Sequence, residues 1–204
     1  MNADMIIVKN RDWNRDYREI VIDSIYDSFP PATHFSDCDG DQLVQSRGDD
    51  YDEIIRDFSG KRWDQLDHSL ISFHHEAPVF MSYWGFLKFL PAFLVDLFDG
   101  DTQVVHSVWN RLLDLEYEST ATPQNNELSN AQRVCCILAF VRVTDFPLDT
   151  TMPARTPDEY YHNPTPEAAF NVLTLGLHHE RITAIREQIE MINDSFVGER
   201  WDSG

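Results

Sequence analysis

Residues 82–98 read SYWGFLKFLPAFLVDLF, and this stretch decides the fold. Its aromatic and aliphatic side chains recur at helical spacing on nearly every side, which is typical of a helix buried in a protein core. Ser82 is a residue type that caps helix N-termini. Pro91 lacks a backbone N–H and its ring clashes with the preceding turn, so we expect a kink there. The sequence therefore predicts a kinked central helix that reaches about Phe98.

Apolar residues at helical spacing predict further helices on both sides of this stretch. The predicted segments cover residues 14–29, 49–58, 63 toward 78, 101–115 and 129–141. Asp101 is a capping residue type, and Ser129 with Gln132 forms a capping-box pattern. Residues 32–48 and 119–128 are predicted loops. The whole chain, residues 1–204, is predicted to be one mainly α domain, an irregular bundle of six or seven helices with little or no β structure.

The C-terminal third has a different pattern. Five of the ten prolines fall within residues 145–166, which predicts a long loop. Residues 166–196 then predict one long helix that begins with Thr165 as cap and Pro166 at the first helical position. In its second half the apolar face narrows to a single row of isoleucines, the isoleucine seam, which includes Ile185 and Ile189. A narrow apolar face is typical of a helix that packs on one neighbouring helix, either in this chain or in a homodimer mate.

Composition indicates a cytoplasmic protein with a packed core. Of the 204 residues, 42% are hydrophobic, and the mean hydropathy is −0.40. No apolar run approaches the roughly 18–20 residues that a membrane span needs, and the N-terminus has no secretory-signal pattern. The three cysteines are Cys38, Cys135 and Cys136, so at least one of them cannot form a disulfide within the chain. A reducing cytosol fits these features best.

The charge is strongly negative, because 16 lysines and arginines stand against 35 acids, a formal net charge of −19. A field of this sign repels nucleic acid and anionic membranes and attracts basic proteins. We therefore expect no nucleic-acid partner and no membrane partner. The alternative explanation is that the charge only confers solubility, since most charged faces are simply solvated.

Two acidic clusters are the candidate partner-binding surface. Eight acids between Asp37 and Asp57 stand against Arg47 and Arg56, and a second cluster begins at Asp99. The predicted electrostatic contact residues are Asp37, Asp39, Asp41, Asp49, Asp50, Asp52, Glu53, Asp57, Asp99 and Asp101. Such a surface speeds association with a cationic partner and fixes its register.

Three motifs resemble a bacterial family of unknown function over residues 15–142. They are Gly60-Lys61-x-Trp63-x-x-Leu66, then Phe80-x-Ser82-x-x-Gly85-Phe86-x-x-Phe89-Leu90-Pro91-Ala92-Phe93-Leu94, and Leu128-Ser129-x-Ala131-Gln132-Arg133. Residues 145–204 depart from the family pattern. Small bacterial domains of this kind include immunity-type and accessory proteins, and this is the functional class that the resemblance implies.

Metal and catalytic signatures are weak. The loop Asp37–Asp41 alternates carboxylates as a calcium site does, but Gln42 and Gly48 occupy the positions where the helix–loop–helix calcium motif has glycine and glutamate. The pairs His74-His75 and His178-His179 hold adjacent residues, which diverge by about 100° on a helix. We expect one member of each pair to pack on the core and the other to be solvated. No catalytic motif is present, so no catalytic residue, metal or cofactor is predicted.

These features predict an acidic protein-binding module, most concretely an immunity or inhibitor protein that neutralises a basic partner such as a nuclease toxin. Two alternatives remain at this point. One is a small metal-binding protein or enzyme that uses the His74/His75 and His178/His179 pairs. The other is a helical accessory domain without a separable activity.

Overall fold

A computed structural model describes residues 17–31, 38–99, 102–119, 128–140, 166–174 and 177–201. Over these ranges the chain forms nine α-helices and two short 3-10 helices, and its β structure is limited to an isolated bridge between Val44 and Met81. The mainly α fold class predicted from the sequence is confirmed. None of the described helices combines the length and apolar character that crossing a membrane requires.

The helices are α1 (Tyr17–Ser28), α2 (Asp49–Phe58), α3 (His68–Phe73), α4 (Ala77–Phe80), α5 (Tyr83–Asp99), α6 (Thr102–Ser119), α7 (Asn130–Ala139), α8 (Pro166–Thr174) and α9 (His179–Trp201). The 3-10 helices are Gly40–Leu43 and Trp63–Gln65. The chain divides into two compact units. Phe29–Leu115 form the central unit, and the described residues of Met1–Ser28 and Glu116–Gly204 form the terminal unit.

The central unit is built on α5, the predicted central helix. The side chains of Phe86, Phe89 and Phe93 are fully buried, and the ring of Phe58 from α2 packs edge-on against Phe89 with centroids 5.1 Å apart. Ser82 caps the helix as predicted, because its Oγ accepts the backbone N–H of Gly85 at 3.0 Å. The helix continues through Pro91, and the kink expected there stays a prediction.

The terminal unit is built on α7, which α1, α8 and α9 contact. All ten residues of α7 are buried. The predicted capping box is present, since Ser129 Oγ accepts the backbone N–H of Gln132 and the Gln132 side chain accepts the backbone N–H of Ser129. The Gln132 side chain also donates to the carbonyl of Ser28 at 3.0 Å, which ties α7 to the end of α1.

Two predicted segments are divided in the structure. The segment from residue 63 toward 78 contains a 3-10 helix, α3 and α4, because Asp67 starts a new helix by accepting the backbone N–H of Leu70 at 2.9 Å. The predicted C-terminal helix is interrupted between Thr174 and His179. Its isoleucine seam is buried within this chain at Ile185 and Ile189, so these side chains are not exposed to a dimer mate.

Three further expectations fall outside the described residues. They are the Asp101 cap, most of the proline-rich segment 145–166 and most of the polar loop 119–128. The single domain of residues 1–204 also stays a prediction.

Candidate functional site

Helix α2 separates an acidic side from an apolar side. Its first turn follows Gly48, and its buried side consists of Ile54 and Phe58, which are 2% and 0% exposed. At 100° per residue Asp49, Asp52 and Glu53 lie away from this buried side, whereas Asp50 lies one turn before Ile54. The side chains of all four acids, Asp49, Asp50, Asp52 and Glu53, are exposed, and we call them together the acidic face of α2.

The start of α2 explains locally why acids are favoured there. The N-cap is Gly48, which has no side chain to accept the exposed N–H groups of the first turn. Asp49, Asp50 and Asp52 lie in that turn, at the positive end of the helix dipole, where carboxylates are stabilising. None of these three makes an ion pair with another residue that the structure describes. Their charges therefore remain open to solvent.

The other acids predicted to contact a partner have different surroundings. Asp41 pairs with Arg47, and the Asp57 carboxylate accepts hydrogen bonds from Arg56 and from His74, whose Nε2 lies 2.8 Å away. Asp39 lies in the cleft described below. Asp37, Asp101 and the side chain of Asp99 lie outside the described part of the chain. The structure thus places five of the ten predicted residues on α2, and four of these five form its acidic face.

Exposed apolar side chains flank this helix. Phe73 is 68% exposed, and its ring lies 4.7 Å from His74, which is hydrogen-bonded to the last turn of α2. At the other end, Tyr51 of α2 packs edge-on against Phe80 at 5.3 Å. Val79 directly precedes Phe80 and is 40% exposed. Apolar surface is therefore available near both ends of the acidic helix.

A cleft with a volume of about 170 Å³ lies beyond the C-terminal end of α2. We call it the cationic cleft, because three of its lining side chains are basic and one is acidic. The lining residues are Pro31, Asp39, Gly60, Lys61, Arg62, Trp63 and Lys88.

The residues directly after the C-terminal end of α2 form the wall of the cleft. Gly60 has a φ of +72°, a left-handed conformation that glycine adopts without steric cost, and its N–H donates to the carboxylate oxygens of Asp39 at 2.9 and 3.1 Å. Trp63 is buried, and its Nε1 donates to the carbonyl of Phe29 at 3.0 Å. Arg62 forms a two-point hydrogen bond with Asp64 at 2.9 and 2.8 Å. These contacts fix the backbone of residues 60–63 around the cleft.

Lys88 supplies the floor of the cleft from α5. Only 8% of its surface is exposed, and its Nζ donates to the carbonyl of Cys38 at 2.7 Å. The one described carboxylate within 4.0 Å is Asp39, whose Oδ1 lies at that distance. A buried ammonium is costly unless its charge and its three donors are matched. The Cys38 carbonyl and the more distant Asp39 carboxylate satisfy the charge and the three donors of the Lys88 ammonium only in part.

The Asp39 carboxyl is held in its charged form. Burial is the largest single influence and raises the pKa of Asp39, but the backbone N–H groups of Gly60 and Gly40 and the charge of Lys88 together outweigh it. The resulting pKa lies below the ordinary value. The cleft therefore contains a fixed negative charge at neutral pH.

The histidine pairs do not form a metal site among the described residues. His74 is buried, as expected for one member of the first pair, whereas His75 is half-buried with its Nδ1 3.2 Å from the carbonyl of Ser72. His178 and His179 are both exposed, so the expectation that one of them packs on the core is wrong. The described residues contain no group of three or more histidine, cysteine or acidic side chains that could hold a metal ion.

Cys38 is a buried thiol with a raised pKa. Burial is the main cause, and the charge of Lys88 lowers the pKa only in part. The neighbouring Asp39 carboxylate also raises the pKa, but it is the smallest of the four influences. The thiol is therefore a poor nucleophile at neutral pH.

The Asp57 interactions predict an acid-dependent contribution to stability. Hydrogen bonds from Arg56, and to a smaller extent His74, hold the pKa of Asp57 well below its usual range despite burial. Because the folded-state pKa is depressed, this contribution is present above about pH 4 and is lost as the pH falls further. Asp57→Asn should destabilise the protein by about 1–3 kcal/mol at pH 7, and the difference should shrink toward pH 3.

Thermal unfolding between pH 7 and pH 3 checks this expectation. Glu187→Gln on α9 is the control, since the Glu187 side chain is exposed, lies away from the helix ends, and forms no hydrogen bond or ion pair with a described residue. Parallel melting curves for Asp57→Asn and the wild type across this range would show that the Asp57 contacts contribute nothing.

The cationic cleft was not predicted from the sequence. Gly60-Lys61-x-Trp63 is visible as a motif, yet nothing local indicates that Asp39 and Lys88 meet it. The usable signal is Lys88 itself, because a lysine within an otherwise apolar buried helix needs a polar partner.

The chain was compared with known family models, with curated proteins and with solved structures. It matches none of them significantly.

Proposed function

We propose that this protein is a binding module that recognises a basic protein through the acidic face of α2. The observation that carries the proposal is the state of Asp49, Asp50 and Asp52. These carboxylates are exposed and unpaired among the described residues, and they stand on a helix that the buried side chains of Ile54 and Phe58 anchor to the core.

Electrostatics favour this kind of partner. With a formal net charge of −19, the protein attracts cationic molecules and repels phosphate and anionic lipid. The carboxylates of α2 add a local concentration of charge at a fixed spacing. Since the helix is already folded and packed, little conformational entropy is lost when a partner binds to it.

Apolar contacts would add affinity to this electrostatic attraction. Protein interfaces combine a charged rim with a few well-buried apolar or aromatic anchors. Phe73 and Val79 are exposed near the two ends of α2 and could serve as such anchors. A complementary partner surface would place basic side chains over α2 and apolar groups against Phe73.

Within this class, we favour an immunity or inhibitor protein. A nuclease holds its substrate in a basic cleft, and an acidic helix complements such a cleft. The resemblance of residues 15–142 to a bacterial family supports the same class. The proposed compartment is the cytosol, where thiols stay reduced; all three cysteines are buried free thiols.

Affinity capture followed by kinetics tests the proposal. The immobilised full chain is exposed to an extract of the cells that express it, the captured protein is identified and purified, and its association rate is measured at 25 and 250 mM salt. We expect a partner with an isoelectric point above about 9, and an association rate that falls by about tenfold or more over this salt range. An acidic partner, or a salt-independent rate, would reject the proposal.

A further inference from the structure

We propose that the cationic cleft binds the carboxylate group of a small molecule. The site consists of Lys88 at the floor, Lys61 and Arg62 on the wall, and Asp39 opposite Gly60. This inference is independent of the protein partner proposed above.

The buried Lys88 ammonium has unused hydrogen-bonding capacity. An ammonium group has three N–H donors, and the carbonyl of Cys38 accepts one of them. Asp39 Oδ1, at 4.0 Å, is beyond hydrogen-bond distance. The centroid of the Phe89 ring lies 5.1 Å from Nζ and the ring makes a cation–π contact, but no other oxygen or nitrogen acceptor of the described residues contacts Nζ. The ammonium of a side chain that is 92% buried therefore keeps hydrogen-bond donors for a ligand.

Lys61 provides a second cation whose side chain is not hydrogen-bonded. It lies between Gly60, at the end of α2, and Arg62, and it is only half-exposed. Its ammonium group forms no hydrogen bond or ion pair with another described residue, although its charge contributes to the lowered pKa of Asp67. Arg62, in contrast, is already bound by Asp64 through two hydrogen bonds. An anion in the cleft would therefore be held mainly by Lys88 and Lys61.

The local charge favours a ligand with one negative charge. Among the lining residues Lys61, Arg62 and Lys88 are positive and Asp39 is negative. Outside the lining, Asp64 binds Arg62 and Asp67 interacts with Lys61, so the positive charge left for a ligand is small. A carboxylate neutralises it. A phosphate dianion would exceed it and would be repelled by Asp39, which hydrogen bonds keep ionised.

The size of the cleft limits the rest of the molecule. A volume of about 170 Å³ is small beside the roughly 300–1,000 Å³ of pockets for drug-sized ligands, so the cleft suits a molecule of only a few non-hydrogen atoms. Pro31 and Trp63 line it alongside the charged groups and can contact a short apolar chain. The geometry thus fits a short monocarboxylate.

Titration of the isotope-labelled full chain with sodium propionate tests this inference by NMR. We expect saturable shifts of the Gly60, Lys61 and Arg62 amide signals with a dissociation constant in the millimolar range, as is usual for a ligand of about five atoms. Inorganic phosphate and sodium chloride at matched ionic strength should give weaker shifts that do not saturate.

Two variants test whether propionate binds in the cationic cleft. Lys61→Ala should weaken propionate binding by about fivefold without changing the fold, because the Lys61 side chain makes no hydrogen bond and the backbone N–H that donates to the Phe58 carbonyl at 3.2 Å is kept. Arg47→Ala, which removes an exposed cation outside the cleft, should leave binding unchanged. The inference is overturned if propionate does not shift the cleft amides, if phosphate binds as tightly as propionate, or if Lys61→Ala binds as well as the wild type.

Discussion

Replacing Gly85 with alanine should lower the free energy of unfolding by about 3 kcal/mol, near the upper end for an overpacked core. A Cβ at this position would lie 2.2 Å from the carbonyl oxygen of Leu43 and 2.9 Å from its carbonyl carbon and Cα. These are backbone atoms, which cannot rotate away as a side chain can. The same carbonyl oxygen accepts the N–H of Ser82 at 2.8 Å, so relief of the clash breaks this contact as well.

The expected loss of stability is opposite in sign to the usual effect of this exchange inside a helix. Gly85 lies inside α5, where exchange of glycine for alanine normally stabilises a helix by about 1 kcal/mol. Gly60→Ala is a useful comparison, because its Cβ would meet nothing within 4 Å and only the cost of its left-handed φ, about 1–2 kcal/mol, applies. Chemical denaturation measures both variants. If Gly85→Ala is as stable as the wild type, residues 38–45 do not pack on α5 as described.

Helix starts with a local capping signal could be predicted from the sequence. Ser82 and Ser129 are both caps in the structure, each accepting the backbone N–H three residues ahead. The bounds of α2 also match the prediction, because its apolar spacing and the following Gly60 are local features. Such signals depend on neighbouring residues alone, so a single sequence contains them.

Interruptions and long-range contacts could not be predicted in this way. The division between Trp63 and Pro78 depends on a 3-10 helix and on the Asp67 cap, which apolar spacing does not reveal. In the C-terminal third, Gly176 falls between α8 and α9, but a single glycine within an apolar run also occurs inside helices. The contact between Leu43 and Gly85 joins residues far apart in the sequence.

The candidate site could also be predicted only in part. The sequence shows where the acids lie, but it does not show which carboxylates are hydrogen-bonded within the fold and which remain available to a partner. Asp57 is engaged by Arg56 and His74, and Asp39 by Gly60, whereas the acids of the first turn of α2 are not engaged by described residues. Charge counting cannot separate these cases, because each pairing depends on a fold that brings its members together.

Neutralising the first-turn acids of α2 should slow binding of the proposed basic partner by about tenfold or more at low salt. The triple variant Asp49→Asn, Asp50→Asn, Asp52→Asn removes charge from one site while keeping the size of each side chain. Electrostatic steering mainly raises the association rate, so the dissociation rate should change less. The variant should also lose some stability, because each carboxylate interacts with the helix dipole by about 0.3–1 kcal/mol.

A comparison of the association rate of this variant with that of a matched control shows whether binding depends on the acidic face of α2. The control is Glu180→Gln, Glu187→Gln, Glu190→Gln on α9, whose three carboxylates are exposed. Both variants change the formal net charge of −19 by the same three units, so a difference between them reports position and not total charge. We predict that the α2 variant associates about tenfold more slowly than the wild type, while the α9 control remains within about twofold of it. Equal rates for the two variants would contradict the account, because binding would then depend on overall charge and not on the acidic face of α2.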